Sequence, residues 1–327
     1  MKLLELHFYH YAPVFKHKIQ TPKVIMEKRE TLFIGTVDEK GKEWFGECNA
    51  FETDWYHFET IDTVKHVLSQ WFEKIRGREI ANFKAAQELL DDLNETPAAR
   101  ATMVMAMYQM FHQLPTFDIP MTLTINGDME HRLMRLDRAG RIKIKWNANI
   151  VEQVKMLTTM YPHIPISTDA NQTLSTKDKG LLEALKHYNL AYIEEPFESL
   201  DQYEYSEKMP SIAIDEHATD QQTILEALSR YDIRVVIVKP FRLGGIDRAL
   251  ELIDLLRAYD VSVVIGGMYE CGLSRYFTAL LSQKGDYAGD ITPTGYYFIE
   301  DIVDNTGWLE GDKLYFEPPI VNTERLN

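Results

Sequence analysis

The feature that most constrains the fold of this chain is a repeated spacing. Short β-branched runs end in a charged residue, and those charges, Lys145, Asp169, Glu194, Asp215 and Lys239, stand 24, 25, 21 and 24 residues apart. Amphipathic stretches follow the runs: IKIKW (142–146) precedes a helix near 149–160, PISTDAN (165–171) one near 176–188, LAYIEEP (190–196) one near 199–208. SIAIDEH (211–217), RVVIVKP (234–240) and VSVVIGG (261–267) lead into helices near 220–230, 245–259 and 271–283. Such alternation implies parallel strands joined by right-handed crossovers. Six or more units in series favour a closed barrel over an open sheet. Neither GxGxxG nor GxxxxGK[ST] occurs, which removes support for nucleotide-binding folds.

Before residue 117 the texture is α+β. Residues 2–9, 30–37 and 43–47 read as strands, the last two flanking the turn DEKG. Helices are predicted over 59–75, 83–93 and 97–114, the third with Pro97 in its first turn. Its methionines, Met103, Met105, Met107 and Met110, read as flexible core filler. The domain reading is 1–116 completed by 300–327, and 117–299 for the barrel. TLTIN (122–126) is its first strand, and the helix in DMEHRLMRLDRAGR is thin.

The net charge of −15 disfavours nucleic acid and anionic membrane surfaces as partners. Cys48 and Cys271 form no CxxC pair, which fits a reducing compartment. MKLLELHFYHY lacks the apolar run of a signal peptide, and no run of eighteen apolar residues occurs. The expectation is a cytoplasmic protein, either alone or as a homo-oligomer.

Barrel strands are interior elements, so a charge at their ends must be paired, ligated or functional. Three successive strands end in carboxylate, and strands lie about 4.8 Å apart. Asp169, Glu194 and Asp215 can therefore converge on one hard cation, Mg²⁺ with Mn²⁺ as a substitute. Lys145 and Lys239 flank them and should face each other. Lys143 shares its side of the strand with Lys145, and its charge should lower the pKa of that base.

These residues resemble the enolase superfamily, in particular its muconate-lactonizing subgroup. KIK (143–145), STDAN (167–171), YIEEP (192–196), IAIDEH (212–217) and KPFRLGG (239–245) resemble its lysine and metal motifs in order; GGMYECGLS (266–274) and GDITPT (289–294) resemble its last strand ends. GECNAFETDWYHFET (46–60) is similar to the capping loop of o-succinylbenzoate synthases of the Gram-positive type, which overlap with N-acylamino acid racemases. The resemblance implies an α/β fold, a (β/α)7β modified TIM barrel with an N-terminal α+β capping domain. It implies Asp169, Glu194 (rather than Glu195) and Asp215 as metal ligands. Lys145 would be the base, Lys239 the opposing stabiliser and Lys143 their support. Asn171 and Glu216 would stand beside the substrate. Gly267, Met268 and Tyr269 would offer backbone groups to a second carboxylate, and Phe51 and Trp55 would close the site. His217 reads as a satisfied loop residue; Glu270 and Asp290 are either lysine partners or loop charges. The activity implied is proton abstraction next to a carboxylate: syn dehydration, or racemisation or epimerisation by the same lysines. A non-catalytic barrel is the outlying alternative.

Overall fold

The computed structural model describes residues 1–21, 23–127, 133–203 and 209–327. The N-terminal part holds β1 (Leu3–Tyr11), β2 (Val14–Gln20), β3 (Ile25–Lys28), β4 (Thr31–Asp38) and β5 (Glu43–Glu47). Helices α1 (Ile61–Ile75), α2 (Phe83–Leu90) and α3 (Pro97–Phe111) follow. β1, β4 and β5 form an antiparallel sheet. The DEKG turn closes because the Asp38 carboxylate accepts from the Lys40 and Lys42 amides at 2.9 and 3.0 Å, while Gly41 takes φ of 78°. Thr60 caps α1 through the Thr63 amide. α3 is buried on nearly every side because it lies between this sheet and the barrel; Met103, Met105 and Met107 are core. The β2–β3 hairpin was not expected, since its residues are mostly exposed and carry little apolar alternation.

β6 (Phe117–Pro120) leads into the barrel. It contains β7 (Thr122–Ile125), β8 (Arg141–Lys145), α4 (Ile150–Met160), β9 (Ile166–Asp169), α5 (Lys179–Leu185) and β10 (Tyr192–Glu194). It continues with β11 (Ile212–Ile214), α6 (Gln221–Arg230), β12 (Ile233–Val238), α7 (Ile246–Ala258), β13 (Ser262–Ile265) and α8 (Gly272–Ser282). β7 to β13 form one parallel sheet in sequence order. An eighth extended segment fills the remaining gap. Asp290 bridges to Gly266 on one side, and the Ala288 carbonyl accepts from Thr122 Oγ1 (2.9 Å) and Arg141 Nε (2.8 Å) on the other.

Side chains alternate across the strands. Ile142, Ile144, Ile193, Val236 and Val238 face the helices. Tyr192, Ala213, Val235, Ile237 and Val264 fill the barrel interior. Burial on both faces explains the near-continuous apolar runs. The expected helix near 199–208 is a 3-10 turn over Leu200–Gln202, and 204–208 lie outside the described residues. Of the thin first helix, Leu133–Arg138 form a 3-10 helix, and 128–132 lie outside the described residues.

The C-terminal strands β14 (Trp308–Glu310) and β15 (Lys313–Phe316) pair with β6, and the Asn327 carbonyl accepts from the His10 amide at 2.8 Å. One buried ion pair ties α3 to the start of α7. Arg100 grips both oxygens of Asp247 at 2.9 and 2.8 Å and donates to the Gly244 carbonyl at 2.7 Å. Among the described residues no helix is long and apolar enough to cross a membrane.

Candidate active site

Strand register gathers the charges. Lys145 pairs with Asp169, and Asp169 with Glu194. Glu194 pairs with Ala213, so Asp215, two residues on, points to the same side. By the same parity Lys239 follows the inward Val235 and Ile237, and Lys143 and Lys145 share one face. All these groups point into the barrel mouth.

Two clusters result. In the first, Lys145 Nζ lies 2.6 Å from Asp169 Oδ2 and 3.0 Å from Asn171 Oδ1. Lys143 Nζ is 2.9 Å from the same Asp169 oxygen, 2.8 Å from Glu194 Oε1 and 3.0 Å from Asp290 Oδ2. In the second, Lys239 Nζ is 2.7 Å from Asp215 Oδ2 and 2.8 Å from the Tyr56 hydroxyl. Arg242 donates to Asp215 Oδ1 at 3.1 Å and also to Tyr56. Glu216 stands between the clusters, its Oε1 accepting from Asn171 Nδ2 at 3.3 Å.

The charges tune one another. Burial pushes the Asp169 carboxyl up, but Lys143 and Lys145 outweigh it and hold the group at about 2. Burial and then the Asp169 charge push Glu194 well above the usual carboxylate range, and Lys143 offsets this only in part. Burial would lower Lys143, yet Asp169, Asp290 and Glu194 keep it firmly charged beside Lys145. Asp215 lies below its ordinary value because Lys239 and Arg242 outweigh its burial.

The expected metal cage is not preassembled. Among the described residues no three His, Cys, Asp or Glu side chains stand ready to hold an ion. Ammonium groups stand against these carboxylates instead: Lys143 against Asp169 and Glu194, and Lys239 against Asp215. The donors nevertheless suit a hard divalent cation. All are carboxylates, and Glu194 Oε2 is buried with no hydrogen-bond partner. Such an orphaned oxygen is costly unless something occupies it.

Glu194 and Glu195 have opposite fates. Glu195 takes φ of 44° and turns away from the mouth; its carboxylate accepts from the Asp215 amide (2.6 Å), the His217 amide (3.2 Å) and Tyr203 (3.0 Å). His217 is held at both ring nitrogens, by Glu195 and by the Glu198 carbonyl at 3.1 Å. Asn171, Gln172 and Tyr269 also have left-handed backbones, a concentration of strain typical of functional rims.

Glu270 and Asp290, each open between lysine partner and loop charge, separate here. Among the described residues Glu270 partners no lysine; Asn49 (3.0 Å), Ser274 (2.8 Å) and Thr278 (2.6 Å) all donate to it beneath the cap. Asp290 is instead the lysine partner. Phe51 is buried under Arg29 and against Trp55, with ring centroids 4.7 Å apart. The capping loop reaches Lys239 through Tyr56, which the sequence reading passed over although it adjoins Trp55. Arg242 was also missed inside KPFRLGG; a charge three residues after Lys239 was the available signal. Gly267, Met268 and Tyr269 line the rim half-buried. Two sets of aromatic rings pack together near these residues: Phe15, Tyr269 and Tyr297 in one, Trp55, Tyr56 and Phe241 in the other.

Residues 128–305, more than half of the chain, match the family model described as enolase C-terminal domain-like. The chain belongs to the enolase superfamily. It is 28% identical to the o-succinylbenzoate synthase of Bacillus subtilis (strain 168), over 88% of this chain and 84% of that one. It is 26% identical to the N-succinylamino acid racemase of Thermus thermophilus, covering 88% and 85%. The crystal structure of a dipeptide epimerase from Enterococcus faecalis V583, complexed with Mg and the dipeptide L-Leu-L-Tyr, superposes with a TM-score of 0.77 at 21% identity, covering 98% of this chain and 99% of that one.

Proposed function

We propose that this protein is an o-succinylbenzoate synthase acting in the cytoplasm on the route to menaquinone. It would dehydrate a cyclohexadiene carboxylate that bears a succinyl group. The observation that carries this is the pair of inward lysines on strands flanking the three carboxylates. Similarity to the Bacillus subtilis synthase supports the choice of reaction.

Asp169, Glu194 and Asp215 would hold Mg²⁺, which, when bound, offsets the charge that develops on the substrate carboxylate. Lys145, at the more open end of its cluster, is positioned to take the α-proton. Lys239 stands on the opposite strand as a buried ammonium, suited to stabilise the enediolate from its other face. Lys145 then returns the proton to the departing hydroxyl, which makes the elimination syn. Asn171 accepts from Lys145 and is itself held by Glu216, and this chain of bonds orients the base. The aromatic side chains beside Lys239, Tyr56 among them, would suit contact with a flat ring. Gly267, Met268 and Tyr269, half-buried after the seventh barrel strand, would offer backbone groups to the succinyl carboxylate.

A second reading is an N-acylamino acid racemase or dipeptide epimerase, favoured by the Thermus thermophilus relative. The two lysines would then alternate as acid and base. A panel assay separates the two: the cyclohexadiene substrate beside N-succinyl amino acids in D₂O, with and without Mg²⁺. Mg²⁺-dependent dehydration is expected, with Lys145→Ala and Lys239→Ala each losing about a hundredfold or more. Deuterium exchange without dehydration would transfer the assignment to the isomerase, and full activity of either alanine variant would remove both.

A further inference from the structure

Lys143 sits where a cation would compete with it. Its ammonium bonds Glu194 Oε1, Asp169 Oδ2 and Asp290 Oδ2 at 2.8, 2.9 and 3.0 Å, and its side chain is only 8% exposed. Two of its donors hydrogen-bond Glu194 and Asp290, and Asp169 stands in ion-pair contact. Asp290 differs from the other two carboxylates in what holds it. Its second oxygen is gripped by Arg141 at 2.5 Å. Arg141 is fully buried and is itself fixed by Ser167 Oγ at 3.0 Å, the Tyr192 hydroxyl and the Ala288 carbonyl at 2.8 Å. Glu194, by contrast, has a bare oxygen, and Asp169 is shared with a second lysine.

An ion bound to Asp169 and Glu194 would repel an ammonium touching those same oxygens. Buried this deeply, Lys143 cannot escape to water, so it needs a carboxylate outside the set that takes the ion. Asp290 is that carboxylate. We infer that Asp290 is a positioning residue: it keeps the Lys143 ammonium when a divalent cation takes over Glu194 and Asp169. This rests on the metal reading given above.

The test is calorimetric titration of Mg²⁺ into wild type, Asp290→Asn, Asp290→Glu, Lys143→Met and the double variant. Asp290→Asn should weaken Mg²⁺ binding by about tenfold or more, because Lys143 then clings to Glu194 and Asp169. Asp290→Glu should recover most of that loss. With Lys143 replaced by Met, the further change Asp290→Asn should cost less than about threefold. A Lys143→Gln background, with melting curves for every variant, guards against a protein that fails to fold. Equal losses with and without Lys143, or no loss from Asp290→Asn, would overturn the inference. Wild type that binds no Mg²⁺ would overturn it together with the metal reading, whereas binding indifferent to Asp290 leaves that reading standing.

Discussion

Arg100→Leu should unfold this protein more readily by about 3–5 kcal/mol, the usual cost of stripping one partner from a buried ion pair. The structure sets the upper part of that range. The Arg100 and Asp247 side chains are 2% and 5% exposed, the grip is bidentate, and a third bond runs to Gly244. The variant leaves the Asp247 charge buried with Gln87 at 2.9 Å as its remaining side-chain partner. Urea denaturation followed by circular dichroism at pH 7 measures the loss. Replacing both residues by leucine should cost less than Arg100→Leu alone, because no orphan charge remains. The pH dependence follows from Asp247. Burial would raise its carboxyl, but the Arg100 bond and charge outweigh that and hold it below its ordinary value. Its contribution is therefore complete above about pH 4 and fades as the pH falls through the lower folded-state value. The gap between wild type and variant should narrow in acid. A loss under about 1 kcal/mol at pH 7 would mean that the pair is a surface-like contact and the reasoning is wrong.

Tyr56→Phe removes the hydroxyl shared by Lys239 and Arg242, and should lower kcat about tenfold with little change in KM; steady-state kinetics with unchanged kcat would show that the loop does not seat the lysine. Gly245→Ala should destabilise by on the order of 3 kcal/mol, since the new Cβ would lie 2.1 Å from Val104 Cγ1 at φ of 123°. Gly77→Ala, with open space around it and φ of 71°, should cost only the backbone strain of about 1–2 kcal/mol; equal melting shifts for the two would refute the packing argument.

The barrel and its inward charges were legible because burial on both strand faces leaves few reasons for a lysine or carboxylate at a strand end. Parity then dictates which neighbours share a face: Lys143 with Lys145, Asp215 with Ala213. What stayed illegible depends on distant pairings. Nothing local marks Asp290 as the seat of Lys143, 147 residues away, or Tyr56 as a partner of Lys239 across 183. Glu270 stayed open between two readings for the same reason, since its three donors come from Asn49 and a helix that only the tertiary fold brings together. The cage was expected to be ready for an ion because strand spacing says where carboxylates stand, not which ammonium already leans on them.

The segment that closes the barrel between the first and seventh strands carries Asp290, which bridges to Gly266, and Ala288, whose carbonyl accepts from Thr122 on the first strand and from Arg141 on the second. Asp290 lies on that segment, so the first breath of local opening would also loosen Lys143 from its anchor. In this molecule, the segment that closes the cylinder is also the one that seats an ammonium at the mouth, so parting there and losing the site's charge arrangement would be one event.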